Sequence, residues 1–126
     1  MSSFSIAWTT TANAEDAQKL ATQIVEQGLA ACVHIDGPLT AVYTWNGKIQ
    51  TETESRLWIK FPSETSDRLE QWIRERHPYD VPQWIVVSAS SVLPEYLQWA
   101  VETTRQDKSS DETTILNSLK NYPRGD

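Results

Sequence analysis

The sequence lacks the features that identify several classes of protein. It contains one cysteine among 126 residues, so no internal disulfide can form, as is usual for a protein of a reducing compartment. Eleven lysines and arginines stand against 17 aspartates and glutamates, a net charge of −6 without a basic stripe, which argues against nucleic acid as a partner. No apolar run approaches the roughly 20 residues that span a bilayer, and residues 1–5 lack the basic and apolar regions of a signal peptide. We therefore expect a cytoplasmic protein without membrane contact.

Signatures of the common enzyme classes are missing as well. The sequence has no glycine-rich phosphate loop, no Cys-x-x-Cys and no Ser-His-Asp order that suits a known fold. An acylphosphatase needs an arginine in the loop after its first strand, and residues 9–13 contain none. We therefore do not expect an enzyme.

The chain is organised around residues 29–61, which predict two long antiparallel strands. Asn46-Gly47 between alternating residues is the strongest short-range hairpin signal, because both positions of a type I′ turn need positive φ. Each arm is about fifteen residues long, against the usual roughly five or six, and its tip is aromatic. Such an arm is expected to lie on a neighbouring copy of the chain. The turn sets three opposing pairs: Trp45 and Lys48, Tyr43 and Gln50, and Ala41 and Glu52.

The register of this hairpin requires an irregularity in its first arm. The turn alone would pair Ile35 with Trp58, which is on the wrong face for the apolar alternation. We therefore predict a β-bulge at residues 36–38 (Asp-Gly-Pro), which lets Ile35 face Leu57.

Two helices flank the hairpin, and a strand that starts at Phe4 precedes them. Asn13 is predicted to cap the first helix, and Gly28 to end it. Ser63 is predicted to cap the second helix. That helix ends before His77-Pro78, because the residue before a proline avoids the helical region.

The last third of the chain changes from apolar to polar. Residues 83–88 predict a strand that is buried on both faces or lies at the centre of the sheet, and Pro94 starts a third helix. Residues 1–105 are therefore predicted to form one domain. Residues 106–126 form a polar tail, mobile or weakly docked, with at most a short helix from Asp111.

The element order, β-α-β-β-α-β plus a C-terminal helix, predicts a ferredoxin-like α+β fold. Its four antiparallel strands carry helices on one face. The opposite face is too apolar for water, so a second copy is expected to cover it. By parity we assign to that face Ala7, Cys32, His34, Trp58, Lys60, Trp84 and Val86.

Five blocks of this sequence resemble the CutA family of divalent-cation tolerance proteins. The resemblance implies a PII-like homotrimer of ferredoxin-like subunits, in which the long hairpins extend each sheet onto the next copy. It also implies a response to divalent metal ions, including copper. The blocks are residues 29–33 (LAACV), 43–49 (YTWNGKI), Glu54 with Ile59-Lys60, 77–82 (HPYDVP) and 96–99 (YLQW).

The chain departs from the family at positions that bear on metal binding. Asn commonly follows Ala-Cys-Val in the family, where this chain has His34, and Glu commonly follows Val-Pro, where it has Gln83. Members with a copper site can place a cysteine at the end of the first strand and a second histidine before His-Pro-Tyr. This chain has Thr9 and Arg76 there, which reduces that copper site to His77.

Cys32 and His34 are the strongest metal candidates that the residues themselves provide. They stand at i and i+2 on one face of one strand, and they offer a soft and a borderline ligand suited to copper or zinc. Because two ligands do not complete a site, Glu54, or His77 of another copy, would have to join them. The competing interpretation is that Cys32 is a small buried hydrophobe and His34 a polar group at an interface.

The loop at His77 also has two interpretations. The histidine either binds a ligand or a proton in a cleft between copies, or belongs to a rigid turn fixed by Pro78 and Pro82. We expect the cleft to be lined by Tyr43, Trp45, Trp58, Lys60 and Tyr79.

Two functions follow from these patterns. The first is a trimeric, cation-responsive protein that binds copper or zinc weakly at clefts between its copies. The second is a PII-like trimer without a metal role, which senses a small molecule or docks a partner protein of unknown identity.

Overall fold

The fold is a four-stranded antiparallel sheet with helices, and the computed structural model describes residues 3–105 of it. The sheet order is β2-β3-β1-β4, which confirms the ferredoxin-like α+β prediction. None of the helices in residues 3–105 is long and apolar enough to cross a membrane. In chain order the elements are β1 (Phe4–Thr11), α1 (Ala14–Glu26), β2 (Cys32–Trp45), β3 (Lys48–Pro62), α2 (Ser66–Arg76), β4 (Ile85–Ser88) and α3 (Pro94–Thr103).

The long hairpin of β2 and β3 forms as the sequence predicts. Asn46 and Gly47 have φ of 52° and 75°, as a type I′ turn requires, and Trp45 lies opposite Lys48. The register shifts between Asp36 and Leu39, so that Ile35 faces Leu57, and the predicted bulge is confirmed.

The bulge needs a glycine at its centre. Gly37 has φ of +141°, a conformation that residues with a Cβ rarely adopt. A Cβ there would lie 3.1 Å from the Glu54 carbonyl oxygen and 3.2 Å from Ser55 Cα. Backbone conformation and close approach thus both favour glycine at this position.

The helix ends follow the predicted signals in three of four cases. The Asn13 side chain accepts a hydrogen bond from the Asp16 N–H at 2.7 Å and caps α1, while Gly28, at φ of 69°, follows its last turn. Helix α2 ends before His77, as predicted. The prediction that Ser63 caps α2 is wrong, because a 3-10 turn, Ser63–Thr65, comes first.

The main core lies between the sheet and the pair α1 and α2. Ala7 is fully buried there, which corrects the prediction that it faces away from the core. Val86 pairs with Ala7 and therefore shares its face, and Trp84 packs against the same core, so these two assignments were also wrong. Small side chains of α1, Ala17 and Ala21, belong to the same buried cluster as Ala7.

The second face of the sheet is covered at one end by α3, so the prediction of helices on one face alone is wrong for this helix. Phe4, on the face opposite to Ala7, is buried in a cluster with Ala31, Trp99 and Ala100. The rest of this face carries mostly larger side chains, and Cys32 among them packs against the cluster that α3 forms. We call it the open face; it bears Ile6, Trp8, Ile85 and Val87 together with Cys32, His34, Trp58 and Lys60.

Strand β4 lies at an edge of the sheet, not at its centre as predicted. It pairs with β1 on one side only, and Ile85, Val86 and Val87 are 38–50% exposed. An apolar edge strand of this kind is a site for pairing with another chain. The predicted tail, residues 106–126, lies outside the described residues.

Candidate functional site

A connected group of polar side chains lies where β1 ends and the chain leaves α2. We call it the histidine–tyrosine network; its members are Thr9, Thr10, Glu54, His77 and Tyr79. Strand β1 supplies the two threonines and β3 the carboxylate. The Pro78 turn places the histidine and the tyrosine two residues apart, with their rings 5.1 Å from one another. Three distant parts of the chain therefore meet at one end of the sheet.

His77 is buried, and both of its ring nitrogens form hydrogen bonds. The Tyr79 backbone N–H donates to Nδ1 at 3.0 Å, so Nε2 carries the hydrogen of the neutral ring and donates to the Thr10 carbonyl at 2.9 Å. Thr9 Oγ1 lies 3.0 Å from the same Nε2. Burial lowers the pKa of His77, against the opposing effects of the Thr10 carbonyl and the Glu54 charge. His77 can therefore bind a metal only if one of these hydrogen bonds breaks.

Glu54 joins the tyrosine to the first strand. Its Oε2 accepts from the Tyr79 hydroxyl at 3.0 Å and from Thr10 Oγ1 at 3.2 Å. Burial and then the hydrogen bond to Glu54 raise the pKa of Tyr79 to about 12, so the phenol stays protonated at neutral pH. The pair can hold and orient a proton, and the Thr10 hydroxyl lies beside it.

The predicted cleft residues of the hairpin tip are exposed. Tyr43 donates to Glu52 at 2.7 Å, and this bond raises the pKa of Tyr43. Trp45 is 63% and Ile49 77% exposed. Tyr43 makes a small electrostatic contribution to the raised pKa of Tyr79, after burial and the hydrogen bond to Glu54.

The second candidate group lies on the open face, near the C-terminal end of β3. We call Cys32 and His34 the cysteine–histidine pair; the sulfur lies 3.9 Å from His34 Nε2. Lys60, opposite Cys32 in the sheet, places its Nζ 2.8 Å from His34 Nδ1. Tetrahedral zinc, with ligands at about 2.3 and 2.0 Å, brings sulfur and nitrogen to about 3.6 Å. The pair therefore fits two corners of a zinc or copper site with a small adjustment.

One chain does not bring all four predicted metal ligands together. Glu54 and Lys60 lie six residues apart on β3, about 20 Å along an extended strand, so the cysteine–histidine pair is far from His77. Among residues 3–105, no group of three or more histidine, cysteine, aspartate or glutamate side chains is arranged to hold a metal ion. A complete site needs water or a second copy.

One cluster of the open face was missed by the sequence analysis. Arg56 donates to both carboxylate oxygens of Asp36, at 2.7 and 3.1 Å, and lies 5.0 Å from the Trp58 ring centre. Trp58 meets Trp8 edge to face at 5.1 Å. The hydrogen bonds from Arg56 lower the pKa of Asp36. The hairpin register predicted from the sequence already places Asp36 opposite Arg56, and this pairing of opposite charges could have indicated the cluster.

These features define a class of protein: a ferredoxin-like domain with an extended hairpin and two groups of polar side chains, one at the middle of β3 and one near its end. Residues 5–103 match the family model described as CutA1 divalent ion tolerance protein, and the chain belongs to that family. The resemblance seen in the sequence is thereby confirmed.

Three similar proteins illustrate the relationship. The chain is 36% identical over 100 residues to "Protein CutA, chloroplastic" of Arabidopsis thaliana, covering 79% of this chain and 55% of that protein. It is 34% identical to the divalent-cation tolerance protein CutA of Thermus thermophilus, covering 71% of this chain and 87% of that one. The solved structure of CutA from Synechococcus elongatus superimposes with a TM-score of 0.80 at 34% identity, covering 83% of this chain and 93% of that one. The chain thus spans little more than half of the plant relative.

Proposed function

We propose that the chain is the subunit of a homotrimer that responds to divalent cations, binding copper or zinc weakly at clefts between its copies. Membership of the divalent ion tolerance family supports the cation response. The observation that carries the metal site is the cysteine–histidine pair, with sulfur and nitrogen 3.9 Å apart on one strand. The proposal assigns no catalytic reaction to the chain.

The surfaces left uncovered in one chain support assembly. Val42, Trp45 and Ile49 at the hairpin tip are 63–77% exposed, more apolar surface than an isolated hairpin tip usually presents to water. Strand β4 is an apolar edge, and the open face bears Trp8 and Trp58. A neighbouring copy that accepts the hairpin tip would bury all three regions.

The metal ligands are assigned by the number of hydrogen bonds that each candidate side chain must lose before it can bind a metal. Within residues 3–105, the cysteine–histidine pair has one hydrogen bond from outside to displace, that of Lys60, whereas His77 and Glu54 each hold two or more. Cys32 and His34 therefore bind first, and water or a group of another copy completes the coordination. A soft thiolate with an imidazole favours zinc or copper over magnesium or calcium.

Calorimetric titration with Zn²⁺, and with Cu⁺ under anaerobic conditions, tests this site. We expect weak binding that is lost in Cys32→Ala and in His34→Ala. The control His77→Ala should keep it, unless a neighbouring copy supplies His77 as a ligand. Absence of binding, or binding that is equal in the wild type and in both variants of the pair, contradicts the metal role.

The histidine–tyrosine network favours a second candidate: a trimer that senses a small molecule or docks a partner protein. A carboxylate, a phenol and a neutral imidazole lie together there. A thermal-shift screen of small metabolites distinguishes the candidates. A stabilising compound whose effect is lost in Glu54→Gln and kept in Cys32→Ala would favour the second candidate.

The proposed location is the cytoplasm, because a single cysteine suits a reducing compartment. The names of two plant relatives describe them as chloroplastic. Fractionation of cells that express the tagged full-length protein tests the assignment.

A further inference from the structure

Lys60 stands where a metal-binding histidine would need a hydrogen-bond acceptor. Its Nζ lies 2.8 Å from His34 Nδ1, while the other ring nitrogen, Nε2, faces the Cys32 sulfur. A protonated lysine amine has three donors and no acceptor. Lys60 therefore donates to Nδ1, and the hydrogen of the neutral ring is carried by Nε2.

This tautomer is the wrong one for metal binding beside Cys32. A metal that takes the cysteine sulfur and His34 Nε2 needs the lone pair of Nε2, so the ring hydrogen must move to Nδ1. There it would point at the Lys60 ammonium, and two donors would face each other. Histidines that bind metals almost always donate their second N–H to a carboxylate, carbonyl or water. Lys60 must therefore turn away before the pair can bind.

We propose that Lys60 is the residue that keeps the cysteine–histidine pair weak, by holding His34 in the tautomer that cannot bind metal. This inference rests on the proposed metal site and adds to it a positioning residue that sets its affinity. On binding, the Cys32 thiol loses one proton to solvent, the ring hydrogen of His34 moves from Nε2 to Nδ1, and no electron is transferred. Soft or borderline cations that bind thiolate tightly can displace Lys60; hard cations cannot.

Four variants separate the hydrogen bond from the charge. Lys60→Met and Lys60→Gln have the same charge, but only glutamine offers an acceptor for the Nδ1 hydrogen. Lys60→Arg is the matched control, since it keeps the charge and the donors. Cys32→Ala in the Lys60→Gln background shows whether any new binding uses the pair. Circular dichroism and native mass establish that each variant folds and assembles like the wild type.

Zn²⁺ affinity by calorimetry and the thiolate charge-transfer band of bound Co²⁺ are the two measurements. Loss of a hydrogen-bond acceptor behind a metal-binding histidine typically weakens metal affinity by about 10–100-fold. Because Lys60→Gln would supply the acceptor that lysine lacks, we expect it to tighten Zn²⁺ binding about tenfold or more. Lys60→Met should tighten it less and Lys60→Arg not at all, and the Co²⁺ band should grow in the same order. Cys32→Ala should abolish the gain.

The outcomes distinguish this inference from the proposed function. Equal affinity in the wild type, Lys60→Met and Lys60→Gln, with binding still dependent on Cys32 and His34, overturns the role of Lys60 and leaves the metal site intact. An equal gain in Zn²⁺ affinity in Lys60→Met and Lys60→Gln overturns the tautomer argument, because loss of the lysine charge alone then explains the gain. No binding in any variant overturns the metal site itself.

Discussion

Glu54 is the side chain on which the polar contacts at the end of the sheet converge. It accepts from the Tyr79 hydroxyl at 3.0 Å and from Thr10 Oγ1 at 3.2 Å. The sequence singled out Glu54, His77 and Tyr79, because they lie in matching blocks. It did not find the contact with Thr10, because that contact depends on the register between β1 and β3, which brings Thr10 beside Arg56 and close to Glu54.

Glu54→Ala should destabilise the protein by about 1–3 kcal/mol, because it leaves two partly buried hydroxyls without their acceptor. Glu52→Ala is the matched control. It removes the carboxylate two residues earlier on the same strand, which also accepts from a tyrosine but is exposed. Its effect should stay within about 0.5 kcal/mol. Chemical denaturation at one fixed protein concentration measures both; equal effects would show that the network is not a structural unit.

The buried imidazole of His77 should make stability depend on pH. Burial lowers its pKa in the folded state, so below the usual value of about 6.5 the unfolded chain takes up a proton that folded His77 does not. The stabilisation from neutral His77 is therefore complete above pH about 6.5 and is lost as the pH falls towards the folded pKa. His77→Gln should lose less stability than the wild type between pH 7.5 and 5.5. A wild-type loss no larger than that of His77→Gln would contradict this.

At the scale of elements, the hairpin was predictable and the face of β1 was not. Turn chemistry at Asn46-Gly47 and the apolar alternation each fix the register locally, so the pairs and the bulge followed from the sequence. In β1 the larger side chains, such as Trp8 and Phe4, lie on the face away from α1 and α2, and small Ala7 lies beneath those two helices. The size of apolar side chains predicts which face of a strand meets the core only when the other face meets water. In this sheet apolar side chains occupy both faces.

The wrong placement of β4 at the centre of the sheet also follows from apolar side chains on a surface that the chain itself does not bury. Residues 83–88 resemble a central strand because Ile85, Val86 and Val87 are apolar, yet β4 is at the edge. An edge strand that another chain covers has the same composition as a central strand. One sequence therefore cannot separate burial within the chain from burial between copies.

The bulge at Gly37 yields a prediction about the hairpin. Gly37→Ala should destabilise the protein by about 1–3 kcal/mol, because a left-handed backbone conformation and a contact of 3.1 Å with the Glu54 carbonyl both oppose a Cβ. Gly47→Ala is the comparison. It has positive φ but nothing within 4 Å, so it should cost only about 1 kcal/mol. The denaturant midpoints of the two variants measure which one is less stable. If Gly37→Ala is as stable as Gly47→Ala or more stable, the backbone around Gly37 relaxes to accept the Cβ.

At the scale of the whole molecule, the exposed hairpin tip, the apolar edge and the open face are accounted for by a single proposal: copies of the chain complete one another. Trp45→Ala removes a ring that is largely exposed in one chain, so it should cost an isolated subunit little. If a neighbour receives that ring, the change should weaken assembly about tenfold or more. Val25→Ala, on α1, removes another exposed apolar side chain and should leave assembly unchanged.

Sedimentation equilibrium of the full-length chain, with circular dichroism on the same sample, tests the account most directly. We expect a folded species of three times the 14.3 kDa chain mass, which dissociates at higher concentration in Trp45→Ala than in the wild type or Val25→Ala. A folded species with the mass of one chain would contradict the account, because the hairpin tip and the open face would then be stable in water without a neighbour.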